Sequence, residues 1–175
     1  MNEWEIERDV GRRAEIAVRA NAFAKLLKGK GIVIFNFWPK RGESFWRNAS
    51  CTLEVLAIMP KDEWPRVKEM LREMGWRYSG GEKQIVYFGR GKKMVKTLVV
   101  SYSHETNSYA HPLAFIDLVW YKDSIMICVL AYYWRNGYEE INPLSLERYA
   151  ISRTYAELLI DELRRAGVAL MTLSE

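Results

Sequence analysis

Cysteine, histidine and glutamine are nearly absent from this chain of 175 residues. Its two cysteines, Cys51 and Cys128, stand 77 positions apart. A lone pair at that spacing makes neither a zinc motif nor a disulfide framework. Glutamine occurs once, at Gln84, while Glu, Lys and Arg are plentiful, a balance that resembles proteins from hot environments. Long apolar runs are also missing. The longest uncharged stretches, Thr106 to Ile116 and Ser124 to Trp134, hold eleven residues each, short of the roughly 18 that a membrane helix needs. Glu3, Glu5, Glu7 and Arg8 occupy the place where a secretory signal would be apolar, so a cytoplasmic protein without a membrane partner is expected. The phosphate-loop, dinucleotide and nucleophile-elbow signatures do not occur.

What is present is a folding composition. Hydrophobic residues make up 49% and charged residues 27%, which suits one globular domain over residues 1–175. Small residues Val10, Ala14, Ala17, Ala20, Ala24 and Leu27 recur at helical spacing and predict a helix over about residues 3–28, with Gly29 and Gly31 at its end. Gly31–Trp38 and Ser50–Met59 read as strands. Pro60 opens a helix from Asp62 to about Met74, stopped by Gly75. Ile85–Phe88 and Met94–Tyr102 predict one hairpin. Leu113–Tyr121 and Ile125–Trp134 predict a second around Lys122, Asp123 and Ser124. This second hairpin is apolar on both faces and should be covered on both. A last helix follows from about Ser145 to Ala166, ended by Gly167. The order predicts an α+β fold, a mostly antiparallel sheet of about five to seven strands packed with three helices.

Charge is unevenly spread. Residues 1–100 carry a net +8 and residues 101–175 a net −4, within a total of +4. Such asymmetry points to an acidic partner, and nucleic acid is the first choice. Arg8, Arg12 and Arg19 share a face of the first predicted helix. Trp38, Lys40, Arg41, Trp46 and Arg47 mix aromatics with cations in one predicted loop, as a surface for stacking bases and contacting phosphates would. The second basic segment is the hairpin tip Arg90, Gly91, Lys92, Lys93, with Lys96 in the strand beyond. Residues 77–96 alone carry +5. The expectation is therefore a non-enzymatic protein that binds DNA or RNA through its basic half, needing no cofactor and no metal. A protein-interaction module meeting an acidic protein is the alternative. Homodimerisation through Tyr132, Tyr133, Trp134 and Arg135 belongs to that alternative.

Catalytic readings are fewer. His104 and His111 could act as base and acid in metal-independent RNA cleavage, with Lys96 and Tyr102 nearby. His104, Glu105, His111 and Asp117 are metal-ligand types without a recognised spacing. His104-Glu105-Thr106 matches half of a paired His-x-Thr phosphoesterase pattern whose second copy is missing. Glu54 sits on a strand but lacks the following Glu-x-Lys of a restriction-type nuclease. Asp117, flanked by Phe115, Ile116, Leu118 and Val119, reads either as a buried partner of an Arg or Tyr or as a site residue on a concave face.

Residues Leu146 to Leu159, followed by Leu163-Arg164-Arg165-Ala166-Gly167-Val168, resemble the helix-turn-helix of winged-helix DNA-binding proteins over about 24 residues. The resemblance implies that Ser152, Arg153 and Thr154 begin a recognition helix. Strand-like sequence stands where the module's first helix belongs, and only seven residues follow Val168 for a wing. The other reading of the segment is one amphipathic helix packing Leu146, Ala150, Ala156, Leu159 and Leu163 against the sheet.

Overall fold

Alternating apolar residues in the two long hairpins set the architecture, because each strand of a pair presents successive side chains to opposite faces. The computed structural model describes residues 31–35, 49–87, 94–135, 138–140 and 143–172. Its strands are β1 (Gly31–Phe35), β2 (Ala49–Pro60), β3 (Arg77–Tyr87), β4 (Met94–Glu105), β5 (Leu113–Tyr121), β6 (Ser124–Arg135), β7 (Tyr138–Glu140) and β8 (Met171–Thr172). Two α-helices accompany them, α1 (Trp64–Glu73) after a 3-10 turn, and α2 (Pro143–Arg165). The first predicted helix lies outside the described residues.

Six of the strands pair in a ring. β1 pairs with β2, β2 with β6, β6 with β5, β5 with β4, β4 with β3 and β3 with β1, each antiparallel. The fold is thus α+β, with a six-stranded antiparallel sheet that closes into a barrel, removing the exposed edges that an open sheet would have. The short strands β7 and β8 extend β6 and β2.

Two apolar layers follow from the alternation. Leu53, Val55, Val86, Val99, Val119, Tyr121, Met126 and Cys128 fill the barrel interior. Ala114, Ile116, Leu118, Ile125, Ile127 and Val129 face outward and meet the helices. The hairpin expected to be covered on both faces is covered by these two layers. A bulge at Leu56 adjusts β2, where Val55 pairs with Cys128 and Ala57 with Ile127, so that Leu56 has no opposite residue.

Helix α1 buries Val67 and Leu71 against the outer layer, with Trp64, Met70 and Met74 beside them. Burial of a side chain such as Leu71 contributes roughly 1.5–3 kcal/mol. Gly75 (φ +90) ends the turn after α1 and Gly167 (φ +81) the turn after α2, conformations that side-chain-bearing residues rarely adopt. A Cβ at Gly75 would stand 3.2 Å from His104 Nε2, so this glycine also admits the imidazole.

One departure from the sequence reading has a physical reason. Strand β3 begins at Arg77, well before Ile85, because pairing with β4 carries Ser79, Gly80 and Gly81 along despite their weak strand preference. The reading of the last segment as one helix agrees with α2, continuous from Pro143 to Arg165, and the helix-turn-helix resemblance does not. Ser152, Arg153 and Thr154 therefore lie mid-helix. Ser152 Oγ accepts from the Phe115 backbone N–H at 3.1 Å, so this segment is used for packing on the barrel.

Candidate functional site

The residues expected to bind nucleic acid fall mostly outside the described residues: the cations Arg8, Arg12, Arg19, Lys40, Arg41, Arg47, Arg90, Lys92 and Lys93 and the stacking candidates Trp38 and Trp46 all do. Lys96 is described, exposed on β4. The side chains of Tyr132, Tyr133, Trp134 and Arg135, expected at a dimer interface, are likewise outside the described set.

The β3–β4 hairpin that carries Lys96 presents a coherent outer face. In register, Tyr78 pairs with Tyr102, Gly81 with Val100, Lys83 with Leu98 and Ile85 with Lys96. Tyr102, Val100 and Leu98 belong to the outer layer. Tyr78, Gly81, Lys83 and Lys96 therefore share that side, over about 20 Å of strand at 3.3–3.4 Å per residue. Tyr78 is 63% exposed although it sits on a paired strand. Its ring is held edge-on to Tyr102, centroids 6.0 Å apart. Tyr102 contacts Trp64 in the same way at 6.3 Å, and Trp64 contacts Trp120 at 5.0 Å. A row of interlocked rings thus anchors one exposed tyrosine. A Cβ at Gly81 would stand 3.0 Å from the Tyr78 hydroxyl, so the phenol lies across a position kept bare by glycine.

Ion pairs are frequent on the helices, although Lys68 on α1 and Arg148 and Arg164 on α2 take part in none among the described residues. On the helices, Arg66 pairs with Glu63, Arg72 with Glu69, Arg153 with Glu157 and Arg165 with Glu162. Arg77 and Lys83, both exposed on β3, take part in no ion pair among the described residues. Their charge is available to a ligand. Sequence reasoning counted the charge of this segment but passed over Tyr78; the signal available was an aromatic between Arg77 and two glycines.

The histidines have separate surroundings. His104 Nε2 lies 3.0 Å from the Met74 carbonyl and Nδ1 2.7 Å from the Glu105 carbonyl, and a neutral ring donates to one of these at a time. Its ring rests between Trp76 and Tyr155, each at 5.2 Å. His111, 5% exposed, faces Glu147 at 3.5 Å. Glu147 and Tyr155 are eight positions apart on α2, about 12 Å along the axis at 1.5 Å per residue. The structure therefore gives the two rings different neighbours, and His104 ties α1 to β4. Among the described residues neither His111 ring nitrogen has a hydrogen-bond partner. A buried unsatisfied polar group costs about 1–3 kcal/mol, so His111→Phe is expected to raise stability by about 1 kcal/mol in urea unfolding. A clear loss would show that the ring nitrogens are in use.

Two carboxylates lie inside. Glu54, on β2, is 2% exposed and is bound by Arg153 Nη1 at 3.0 Å and by the Tyr149 hydroxyl. Burial, the largest single influence, works against the Arg153 charge, yet Glu54, Glu157 and Tyr149 together outweigh it and push the guanidinium pKa up. Burial and the neighbouring Glu54 also push the Tyr149 phenol up. Asp117, half-buried, accepts from Ser101 Oγ at 2.5 Å; its partner is thus a serine where an Arg or Tyr was the expectation. In register it lies between Ser101 and Cys128, on the interior face of the barrel, opposite to the outward side of His104. Groups of three or more metal-ligand side chains do not occur among the described residues.

Burial pushes the Asp117 carboxyl above the usual carboxylate range, with the Ser101 hydrogen bond opposing. For an acid whose pKa is raised on folding, the ionised form costs stability above the folded pKa, and that cost disappears as pH falls to the unfolded value of 3.8. Asp117→Asn is therefore expected to be more stable than the natural chain at neutral pH, the gap closing as pH approaches 3.8. Urea titrations along that pH range measure it; a gap independent of pH contradicts the assignment.

Comparison with known proteins finds no matching family model, no matching curated protein and no matching solved structure. No helix among the described residues is long and apolar enough to cross a membrane.

Proposed function

We propose that the protein binds single-stranded nucleic acid along the outer face of the β3–β4 hairpin. The observation that carries this reading is Tyr78, exposed yet braced by Tyr102, with Lys83 on the same face and in no ion pair among the described residues. A base stacks on the phenol while phosphates pass Lys83 and Lys96. The bare backbone at Gly80 and Gly81 lets a strand come close. Stacking accepts any base, so the binding carries little sequence preference. No chemistry is required of His104 or His111 in this role, and no metal or cofactor.

Fluorescence anisotropy with a labelled oligonucleotide of about 12 nucleotides, within common site sizes, tests the proposal. Single strands are expected to bind more tightly than duplex, with affinity falling steeply as salt rises. Lys83→Glu should weaken binding uniformly across sequences and reduce the salt slope by about one. Absence of binding at low salt would sink the proposal and favour an acidic protein as partner. Tyr109 would then be the place to look for that contact. It is 106% exposed at the tip of a loop fixed by Thr106–His111 and Ser108–His111 hydrogen bonds.

A further inference from the structure

The two flanks of α1 lie against different neighbours. Arg66 marks one flank. It pairs with Glu63 at 3.9 Å, and a Cβ on Gly167, at the end of α2, would meet its Nη2 at 3.7 Å. Trp64 marks the other flank. Its ring meets Tyr102 at 6.3 Å, and Tyr102 is the ring that braces Tyr78. Between the flanks, Val67 and Leu71 are buried against the barrel. Each residue turns the helix by about 100°, so Lys68 and Arg66 leave Val67 in opposite directions. Lys68 follows Trp64 by four positions, which puts the two on the same side. Lys68 therefore stands on the flank turned toward the β3–β4 hairpin, and it is exposed.

The helix itself gives this ammonium no partner. The positions three and four away from Lys68 are Trp64, Pro65, Leu71 and Arg72, none of them acidic, whereas Arg66 has Glu63 and Glu69 at that spacing. Lys68 takes part in no ion pair among the described residues, and neither does Lys83 on the hairpin. The surface between them is apolar and aromatic. Leu98 stands in register with Lys83, Tyr78 with Tyr102, and Trp64 leans on Tyr102 from the helix. Two unpaired cations on either side of a strip of rings suit a ligand with flat bases and a charged backbone. We propose that Lys68 is a second phosphate contact for the strand bound by the hairpin, so that single-stranded nucleic acid lies between α1 and β3, a base on Tyr78 and its backbone held by Lys68 as well as Lys83. This inference rests on the hairpin reading and extends that site onto the helix.

Anisotropy titrations of the full chain with the labelled single strand, across a salt series, compare Lys68→Glu, Lys83→Glu, the double variant and Arg66→Glu. Lys68→Glu should weaken binding several-fold and lower the salt slope by about one, and the double variant should lower it by about two. Arg66→Glu changes the net charge equally but on the far flank, and should leave the slope as it is. Thermal unfolding should find Lys68→Glu as stable as the natural chain, because the side chain is exposed. Weakened binding in Tyr78→Ala and Lys83→Glu with none in Lys68→Glu would overturn this inference while leaving the hairpin reading intact. An equal loss of slope in Arg66→Glu would overturn it too, since the effect would then be one of net charge. No binding by the natural chain at low salt would remove the hairpin reading and this inference together.

Discussion

Arg153→Ala should destabilise the protein by about 3–5 kcal/mol, the cost usual for removing one partner of a buried ion pair. The reason is geometric. Glu54 is 2% exposed on a strand whose neighbours Leu53 and Val55 are buried in the core, so water cannot replace the guanidinium. Arg153 reaches Glu54 at 3.0 Å while its other nitrogen holds Glu157 at 2.9 Å, which fixes the side chain across the barrel–helix boundary. A stability of 5–15 kcal/mol is typical of domains this size, so such a loss brings the chain near unfolding at physiological temperature. Tyr149→Phe removes the hydroxyl's two hydrogen bonds, one donated to Glu54 and one accepted from Arg153, but leaves the ion pair in place and should cost less, about 1.5–3 kcal/mol. Urea midpoints for the two variants check the order. If Arg153→Ala were as stable as Tyr149→Phe, the ion pair would not be what holds α2 to β2.

Tyr78→Ala should reduce single-strand affinity by about 1–3 kcal/mol, roughly 5- to 150-fold, the range measured for one base stacked on one aromatic ring. Stability should change little, because the ring is mostly solvent-exposed and its loss opens no cavity. Tyr78→Phe should retain most of the affinity, since stacking uses the ring face. Gly81→Ala offers an independent route to the same effect. The added Cβ would meet the Tyr78 hydroxyl at 3.0 Å and Val100 Cγ2 at 3.2 Å, so the phenol end of the ring must give by a few tenths of an ångström. Equal affinity in Tyr78→Ala and the natural chain would place the contact elsewhere. Anisotropy titrations at one fixed salt concentration suffice, because the affinity of such complexes depends on salt.

The parts of the fold that were legible in the sequence are those where one residue's neighbours in the chain decide its place. Leu113–Tyr121 and Ser124–Arg135 alternate apolar residues over nine and twelve positions, and both strands are where the alternation puts them. Gly75 and Gly167 mark the ends of both helices for a local reason, their backbone dihedrals. Closure of the ring was not legible, because β1 meets β3 and β2 meets β6 through register between distant segments. Glu54 drew attention only as a failed nuclease ligand. Its partner Tyr149 lies 95 positions away, and a lone carboxylate in an apolar strand does not announce which residue will satisfy it. Asp117 was singled out correctly as a carboxylate needing an account, yet its hydrogen bond to Ser101 is a cross-strand contact that spacing does not reveal. The helical pattern of residues 145–166 was legible, and of the residues behind the resemblance to a recognition helix Ser152 turns toward the barrel while Thr154 is exposed mid-helix. At the candidate site, the charge of residues 77–96 was visible in the sequence. The exposure of Tyr78 was not, because it depends on Tyr102 bracing one side and Gly81 leaving the other bare.

Where a bound strand lies on the protein is the central claim, and ultraviolet cross-linking tests it directly. A photoreactive single-stranded oligonucleotide is irradiated with the full chain, and the linked peptides are identified by mass spectrometry. Cross-links concentrated on Arg77 to Lys83 and on the strand around Lys96, and lost from Tyr78 in Tyr78→Ala, are the predicted result. Cross-links confined to α2 or to the Tyr109 loop, with none on the hairpin, would contradict it.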